Sequence, residues 1–266
     1  MKKTILITGS TDGIGLEAAK LLHSEGHHVL LHGRNPDKLQ AAQSALDEQA
    51  GEGGTEVFLA DLSNLANVKA LGQAISETHE RIDVLINNAG VFRTSESITS
   101  EGLDIRFVVN TFAPVLLTRQ LMSRLAPEAR VVNLSSAAQA PVDLDALAGR
   151  KKLTDEFEAY AQSKLALTMW SRAMALSPGQ SGRVFVAVNP GSLLATKMVK
   201  EGFGMAGNDI GIGADILVRA ALSDEFSNAS GEYFDNDKGQ FASPHRDAMD
   251  PQRSEAVVQA IETLLI

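Results

Sequence analysis

The sequence predicts an α/β fold, a single doubly wound domain with a seven-stranded, mostly parallel sheet and helices on both faces. Three observations predict it. Short apolar runs such as Thr4 to Thr8, His28 to Gly33 and Val184 to Val188 alternate with amphipathic stretches of helical period. Several of these runs stop at a small or polar turn, which is where ligands of parallel sheets collect. A chain of 266 residues without repeat or linker falls where one α/β domain is the simplest assignment.

Taken in order, Thr4 to Thr8 is β-branched and stops at Gly9. The turn Gly9-Ser10-Thr11-Asp12-Gly13-Ile14-Gly15 then opens a helix with apolar positions at Ile14, Ala18, Leu21 and Leu22. A strand, a glycine turn and a helix N-terminus present backbone N–H groups and a positive dipole end to a phosphate. Gly9 permits the tight turn, Gly13 lets the backbone approach a pyrophosphate, and Gly15 lets helix and strand pack closely. The G-x-x-x-G-x-G spacing departs from the common G-x-G-x-x-G fingerprint, so alone it leaves an ordinary strand-to-helix connection open.

The strand His28 to Gly33 ends without the acid that commonly binds adenosine ribose hydroxyls. Gly33 stands there, followed by Arg34 and Asn35. An acid would repel a 2′-phosphate, whereas an Arg binds one in a bidentate way, so NADP(H) is expected over NAD(H). His28 and His32 share one strand face, but no third ligand lies near them in the sequence, and no metal site is expected. A helix follows over Asn35 to Ala50, a loop over Gly51 to Gly54 and a third strand over Glu56 to Ala60. That strand ends in Asp61-Leu62, where a carboxylate can accept from an adenine amino group. A second amphipathic helix covers Asn64 to His79. The fourth strand, Ile82 to Ile86, stops at Asn87-Asn88-Ala89-Gly90, whose small residues leave room for a cofactor to lie across it.

A long helix is expected over about Ser100 to Leu125, then a fifth strand over Arg130 to Leu134 ending in Ser135-Ser136. The run Asp155 to Leu176 has no Gly or Pro and reads as a helix. Within it, Tyr160 and Lys164 lie at i and i+4, so phenol and ammonium can approach one point. An unperturbed phenol, with a pKa of about 10, shuttles protons poorly at neutral pH, and a nearby positive charge lowers that value. By itself the pair also fits a core Tyr beside a solvated Lys. The sixth strand, Val184 to Val188, ends in Asn189-Pro190-Gly191. Lys197 to Gly213 is glycine-rich, with Met198, Phe203 and Met205, and reads as a mobile apolar lid or as a plain surface loop. Ala214 to Leu222 is a helix, Gly231 to Phe234 a closing strand and Pro251 to Leu265 a terminal helix, with Phe241 to Asp250 expected over the substrate entrance.

Composition narrows the class. There is no cysteine, which excludes disulfides, thiolate nucleophiles and Cys-ligated metals and fits a reducing cytoplasm. The net charge of −9, with no basic cluster beyond Arg150-Lys151-Lys152, argues against nucleic acid. The apolar run after Met1-Lys2-Lys3 is only Ile5-Leu6-Ile7, too short for a secretory signal. No segment approaches the ~20 apolar residues of a membrane span. A cytoplasmic protein without a membrane anchor is expected.

In order along the chain, Thr8-Gly9-x-x-x-Gly13-x-Gly15, Asn87-Asn88-Ala89-Gly90, Ser136 and Tyr160-x-x-x-Lys164 resemble the short-chain dehydrogenase/reductase family, over nearly the whole length. The resemblance implies a Rossmann-type domain, a nicotinamide dinucleotide and hydride transfer between an alcohol and a carbonyl. It implies a catalytic set of Asn110, Ser136, Tyr160 and Lys164. Ser136 matches better than Ser135 because Ala137-Ala138 follow it, and Asn110 would kink its helix and hold a water linking Lys164 to solvent. Asn88, Ala89 and Gly90 would face the cofactor. Pro190-Gly191 resembles the turn beside the nicotinamide, with Thr196 as the matching hydroxyl, one residue later than usual. The interval from Ser136 to Tyr160 and the run Tyr160-Ala-Gln-Ser-Lys-Leu-Ala are similar to the retinol-dehydrogenase-like and WW-domain-oxidoreductase-like branch. The extra material holds Asp143, Asp145, Asp155 and Glu156. It precedes the helix that many members use to oligomerise, so a standard tetramer is not expected and a homodimer stays open.

On this reading residues 1–135 form the cofactor half, while about 137–159, 192–213 and 235–266 lie on the substrate side of one domain. Ser136 would stabilise the substrate oxygen, Tyr160 would donate or accept the proton, and Lys164 would lower the Tyr pKa and anchor the nicotinamide ribose. Leu193, Leu194, Met198, Phe203 and Met205 suggest a bulky apolar carbonyl or alcohol. Two other readings stay open: an NADP(H)-binding regulator without turnover, and an epimerase or dehydratase of a longer related branch.

Overall fold

A computed structural model describes every residue except Ala50, Ser181, Met205 and Ile266, and the Phe203 side chain lies outside the description as well. Eight strands form one sheet in the order β3-β2-β1-β4-β5-β6-β7-β8. They are β1 (Thr4–Ile7), β2 (His28–Gly33), β3 (Gly54–Leu59), β4 (Ile82–Asn87), β5 (Leu125–Leu134), β6 (Val184–Asn189), β7 (Tyr233–Asp235) and β8 (Gln240–Ala242). All pairs are parallel except β7 with β8. The eighth strand, absent from the expectation, is the return arm of a hairpin around Gly239, whose φ of 65° permits the turn.

The helices are α1 (Gly13–Ser24), α2 (Pro36–Asp47), α3 (Leu65–Thr78), α4 (Ile105–Phe107), α5 (Ala113–Leu121), α6 (Leu144–Leu147), α7 (Glu156–Leu176), α8 (Lys197–Phe203), α9 (Ile210–Leu222) and α10 (Pro251–Leu264). Their starts are written in the sequence. Asp12, Asn35, Asn64, Asp155 and Asp250 each accept from a backbone N–H of the first turn, and Pro36 and Pro251 stand where no helical donor is needed. Each face of the sheet carries its own core. One joins Leu6, Leu30 and Leu85 to Phe107, Phe112, Leu165 and Trp170; the other joins Ile5, Ile7 and Val186 to Ala18, Leu22, Ile216 and Leu217. Side chains of a strand alternate between these cores, as a sheet covered on both sides requires.

Three expected boundaries move. β5 begins at Leu125 rather than Arg130, because Pro127 falls beside the register shift between Ile82 and Val84, where a ladder donor is dispensable. The long helix expected from Ser100 begins only at Ile105 and is interrupted at Val108–Phe112 by a π-turn, in which the Ala113 N–H reaches back five residues to the Val108 carbonyl. The segment from Lys197 is not a plain loop: it contains α8 and the start of α9. Strand order reverses between β1 and β4, and the C-terminal ends of these strands open a crevice where such sheets bind ligands.

Candidate active site

A single cleft of about 830 Å³ runs across the strand ends from Arg34 and Asp61 at one extremity to Ser136, Tyr160 and Met198 at the other. Its floor at the first end is backbone. Gly9 has φ 66°, and a Cβ there would lie 2.9 Å from the Ala89 Cα; a Cβ on Gly15 would meet Asn88 Nδ2 at 2.4 Å and the Gly9 carbonyl at 2.5 Å. Asn88 Nδ2 donates to the carbonyls of Thr8 and Gly9 at 2.8 and 3.0 Å, so the end of β4 clamps the glycine turn. His32 braces it from beneath. Its Nδ1 accepts from the Gly9 N–H at 3.1 Å, leaving the proton on Nε2, 3.2 Å from the Ala60 carbonyl. Burial lowers the His32 pKa to about 4, keeping the ring neutral.

Of the residues expected around the cofactor, Gly9, Thr11, Asp12, Gly13, Ile14, Arg34, Asn35, Asp61, Leu62, Asn88, Ala89, Gly90, Pro190, Gly191 and Thr196 line this cleft. Ser10 and Gly15 do not. Ser10 is fully buried and accepts from the His32 N–H at 2.9 Å, tying the turn to β2, and Gly15 is spent on the close packing described above. Arg34 is exposed at the rim and makes no hydrogen bond or ion pair with the described residues. Lys38, which sequence reasoning passed over, also lines the cleft and pairs with Asp12 at 2.9 Å, an interaction that holds the Asp12 carboxyl below its ordinary range. Its signal was present: Lys38 lies one helical turn beyond Arg34 at the start of α2.

At the other end Ser136, Tyr160 and Lys164 line the cleft together. Ser135 turns inward, 3% exposed, and shares a 2.7 Å hydrogen bond with Thr168, which leaves Ser136 facing the cavity. Ser136 Oγ accepts from the Ala138 N–H at 3.0 Å, and its carbonyl accepts from Tyr233 and Gln139. Burial raises the Tyr160 pKa and a hydrogen bond with Ser136 partly offsets it. The expected lowering by Lys164 is therefore not the dominant effect. The Lys164 ammonium lies 5.7 Å from the Tyr160 ring centroid and donates to the Leu134 carbonyl at 2.7 Å, and its own burial lowers its pKa to about 8.

Asn110 sits in the π-turn, fully buried and behind the cleft wall. Its Oδ1 accepts from the Val91 N–H at 2.8 Å, and its Nδ2 donates to the Val91 carbonyl and to Ser163 Oγ, both at 2.9 Å. Asn110 thus directly supports the loop after β4. Gly90 is the neighbour that makes this possible: a Cβ there would lie 3.3 Å from Asn110 Oδ1 and 3.5 Å from Lys164 Nζ.

Much of the remaining wall is apolar, with Asn189, Ser192 and Lys197 the polar exceptions. Phe92 packs against Tyr160 with the rings tilted, centroids 5.3 Å apart, and meets Phe157 edge-to-face at 6.2 Å, and α8 crosses it so closely that a Cβ on Gly202 would be 2.8 Å from the ring. Met198 reaches over Gly90, and Thr196 caps α8 while facing Gly13 across the cleft. Leu193 is the one described non-glycine residue in the left-handed region, with φ 54°. Of the five residues expected to shape a substrate pocket, Leu193, Leu194 and Met198 line the cleft; Met205 and the Phe203 side chain lie outside the described residues. The segment Phe241 to Asp250 does not reach it. Phe241 packs on Phe226 and Phe234 instead, an aromatic cluster worth more buried than exposed at an entrance. Among the described residues no helix is long and apolar enough to cross a membrane.

The family model of short chain dehydrogenase matches residues 3–207. Human retinol dehydrogenase 13 is 30% identical over 261 residues, covering 91% of this chain and 78% of its own. Among solved structures, an uncharacterised protein from Mycobacterium paratuberculosis has a TM-score of 0.81 at 27% identity, covering 99% of this chain and 93% of its own. A short chain dehydrogenase from Shigella flexneri 2a, solved in complex with NADP, has a TM-score of 0.67 at 26% identity, covering 88% and 96%. With the doubly wound sheet, the glycine turn clamped by Asn88 and the ordered Ser136, Tyr160 and Lys164, these likenesses establish that the chain belongs to the short-chain dehydrogenase family, near its retinol dehydrogenases.

Proposed function

We propose that this protein is an NADP(H)-dependent oxidoreductase that moves a hydride between nicotinamide and a bulky, apolar alcohol or carbonyl. The observation that carries the reading is one cleft with two chemically different ends: a phosphate-adapted glycine turn under an unpaired Arg34, and a Ser136-Tyr160-Lys164 group under an apolar roof. The residues fit a dinucleotide. A side chain on Gly9 would collide with the Ala89 backbone, one on Gly90 would crowd Asn110 Oδ1, and no acid follows Gly33 to oppose a 2′-phosphate. When bound, the cofactor supplies the hydride.

The chain's own residues do the rest. Ser136, which accepts from the Ala138 N–H and shares a hydrogen bond with Tyr160, turns its hydroxyl proton to a substrate oxygen and stabilises charge there. Tyr160, with its pKa raised by burial, is protonated at neutral pH, the form that a carbonyl reduction consumes. Lys164, positively charged below pH about 8, stabilises the phenolate left behind and offers its ammonium to a ribose. Asn110 and Gly90 position these groups rather than react. Phe92, Phe157, Leu193 and Met198 exclude water and select apolar substrates.

The cofactor preference rests on Arg34. Replacing it, Arg34→Asp, is expected to lower kcat/KM with NADPH by about 10- to 100-fold, as loss of a charge-assisted phosphate contact does, while NADH turnover holds or rises. Steady-state turnover of a panel of aldehydes and ketones with each cofactor measures it. Better use of NADH than NADPH by the wild type would contradict the cofactor assignment.

A further inference from the structure

At the opposite end of β2 from Arg34, the fold brings together three residues that are remote in sequence: His28, Glu56 and His79. His28 opens β2. Glu56 lies opposite Leu30 in the β2–β3 register, so its side chain emerges on the same sheet face, diagonal to His28. His79 immediately follows α3 and returns to that face. His79 Nε2 is 3.0 Å and His28 Nε2 3.8 Å from the same oxygen, Glu56 Oε2, and one ligand atom from each residue lies within 4.8 Å of the others. Two imidazoles and a carboxylate around a zinc ion, at bond lengths of about 2.0 to 2.2 Å, stand roughly 3.4 Å apart. The separations of 3.0 and 3.8 Å bracket that spacing.

The arrangement is held from outside. Gly54 faces His28 across the ladder, and a Cβ there would be 2.6 Å from His28 Nδ1, so the imidazole occupies space that only a glycine leaves. The edge of Phe58 packs on the His79 ring at 6.2 Å. His28 and His79 are mostly buried while Glu56 keeps about a third of its side chain exposed, which leaves an approach from solvent. The nearby cation, Lys2, donates to the Glu52 carbonyl. His32, the other histidine of this face, is engaged with Gly9 and Ala60 and is not part of the group.

We propose that His28, Glu56 and His79 form a divalent transition-metal site, with Zn²⁺ the ion that this nitrogen-and-oxygen donor set suits best. Three protein ligands leave a fourth position for solvent. The ion joins the start of β2, the middle of β3 and the end of α3, far along the strands from the cleft, so it acts on stability and not on hydride transfer. Mg²⁺, which prefers oxygen donors, does not substitute.

The test uses tag-free, chelator-treated full-length protein, with ZnCl₂ titrated by calorimetry and the melting temperature followed in parallel. Co²⁺ serves as a spectroscopic probe of the site. The expected result is one saturable equivalent of Zn²⁺, a melting temperature that rises with its concentration, and visible Co²⁺ bands of a low-coordinate site. Glu56→Gln, which keeps the shape and a hydrogen-bonding partner for His79, is expected to weaken Zn²⁺ binding by about tenfold or more while NADPH affinity is unchanged; His79→Ala weakens it further. The proposal is overturned if wild type shows no saturable binding up to about 1 mM Zn²⁺, or if Glu56→Gln binds as wild type does.

Discussion

The two ends of the cleft are built by different means. At the Arg34 end the surface is backbone, and what shapes it is the absence of side chains at Gly9, Gly13 and Gly33, braced by Asn88 and His32. At the Tyr160 end the surface is side chain: Phe92, Phe157 and Met198 over Ser136 and Lys164, roofed by the seven-residue α8 and a loop containing the left-handed Leu193. This surface tolerates little substitution: a Cβ on Gly9 meets the Ala89 Cα at 2.9 Å, one on Gly33 meets the Thr11 side chain at 2.4 Å, and Gly13 is required by its φ of 60°. A side-chain surface is adjustable, since Met and Phe can repack. The first end suits one unvarying ligand and the second suits a choice of substrates.

That contrast predicts where damage should fall. After the loss of the Tyr160 phenol itself, the largest effect is expected at the hydroxyl beside it. Ser136→Ala removes the hydroxyl aimed at the developing charge, and kcat should drop by about 10²- to 10³-fold with NADPH affinity intact; a parallel loss of NADPH binding would mean that Ser136 shapes the cofactor surface instead. A smaller effect concerns pH. The Lys164 pKa is lowered to about 8, so its charge is complete well below that value and is lost as pH rises through it. The reductive kcat/KM should accordingly fall above pH 8, approaching tenfold per unit, in a pH profile. Lys164→Arg, charged throughout, should lose activity overall but also lose this limb; a limb that stays at pH 8 assigns it to another group. The smallest effect is at the roof. Met198→Ala should raise KM for a bulky aldehyde by up to about tenfold and leave the KM for NADPH unchanged, as loss of an apolar contact does. Equal changes in both constants would erase the distinction between the two ends.

The same contrast explains what the sequence disclosed. Gly9, Gly13 and Gly90 announce themselves because only glycine meets their demands of φ or clearance, and the acid missing after Gly33 is visible as a blank. Tyr160 and Lys164 could be paired because they lie on one face of a helix of fixed period, whereas Ser136 was placed by the family resemblance. The interruption of the helix at Asn110 was legible only through the family resemblance, which implied a kink there; the π-turn that makes it is held by the Val91 and Ser163 contacts from remote parts of the chain. The choice of Phe92 as the ring beneath α8 could not be read, since it depends on Gly202 arriving against it from over a hundred residues away. His28 had a visible partner in His32 on its own strand, yet the structure pairs it with Glu56 and His79 on other elements. Local pattern carried the glycine turn and the Tyr160–Lys164 pair; tertiary placement carried the apolar roof and the surroundings of Asn110 and His28.

The most direct test of the division between the ends is a paired measurement on Tyr160→Phe: NADPH affinity by fluorescence titration and reductive turnover of an aldehyde on the same sample. On the proposed function the phenol contributes a proton rather than a shape, and Phe keeps the ring that Phe92 packs against. Affinity for NADPH should stay within about threefold of wild type while kcat falls by roughly 10²- to 10⁴-fold, the range of a lost general acid. Turnover that survives in Tyr160→Phe, or NADPH binding that collapses with it, would contradict the account.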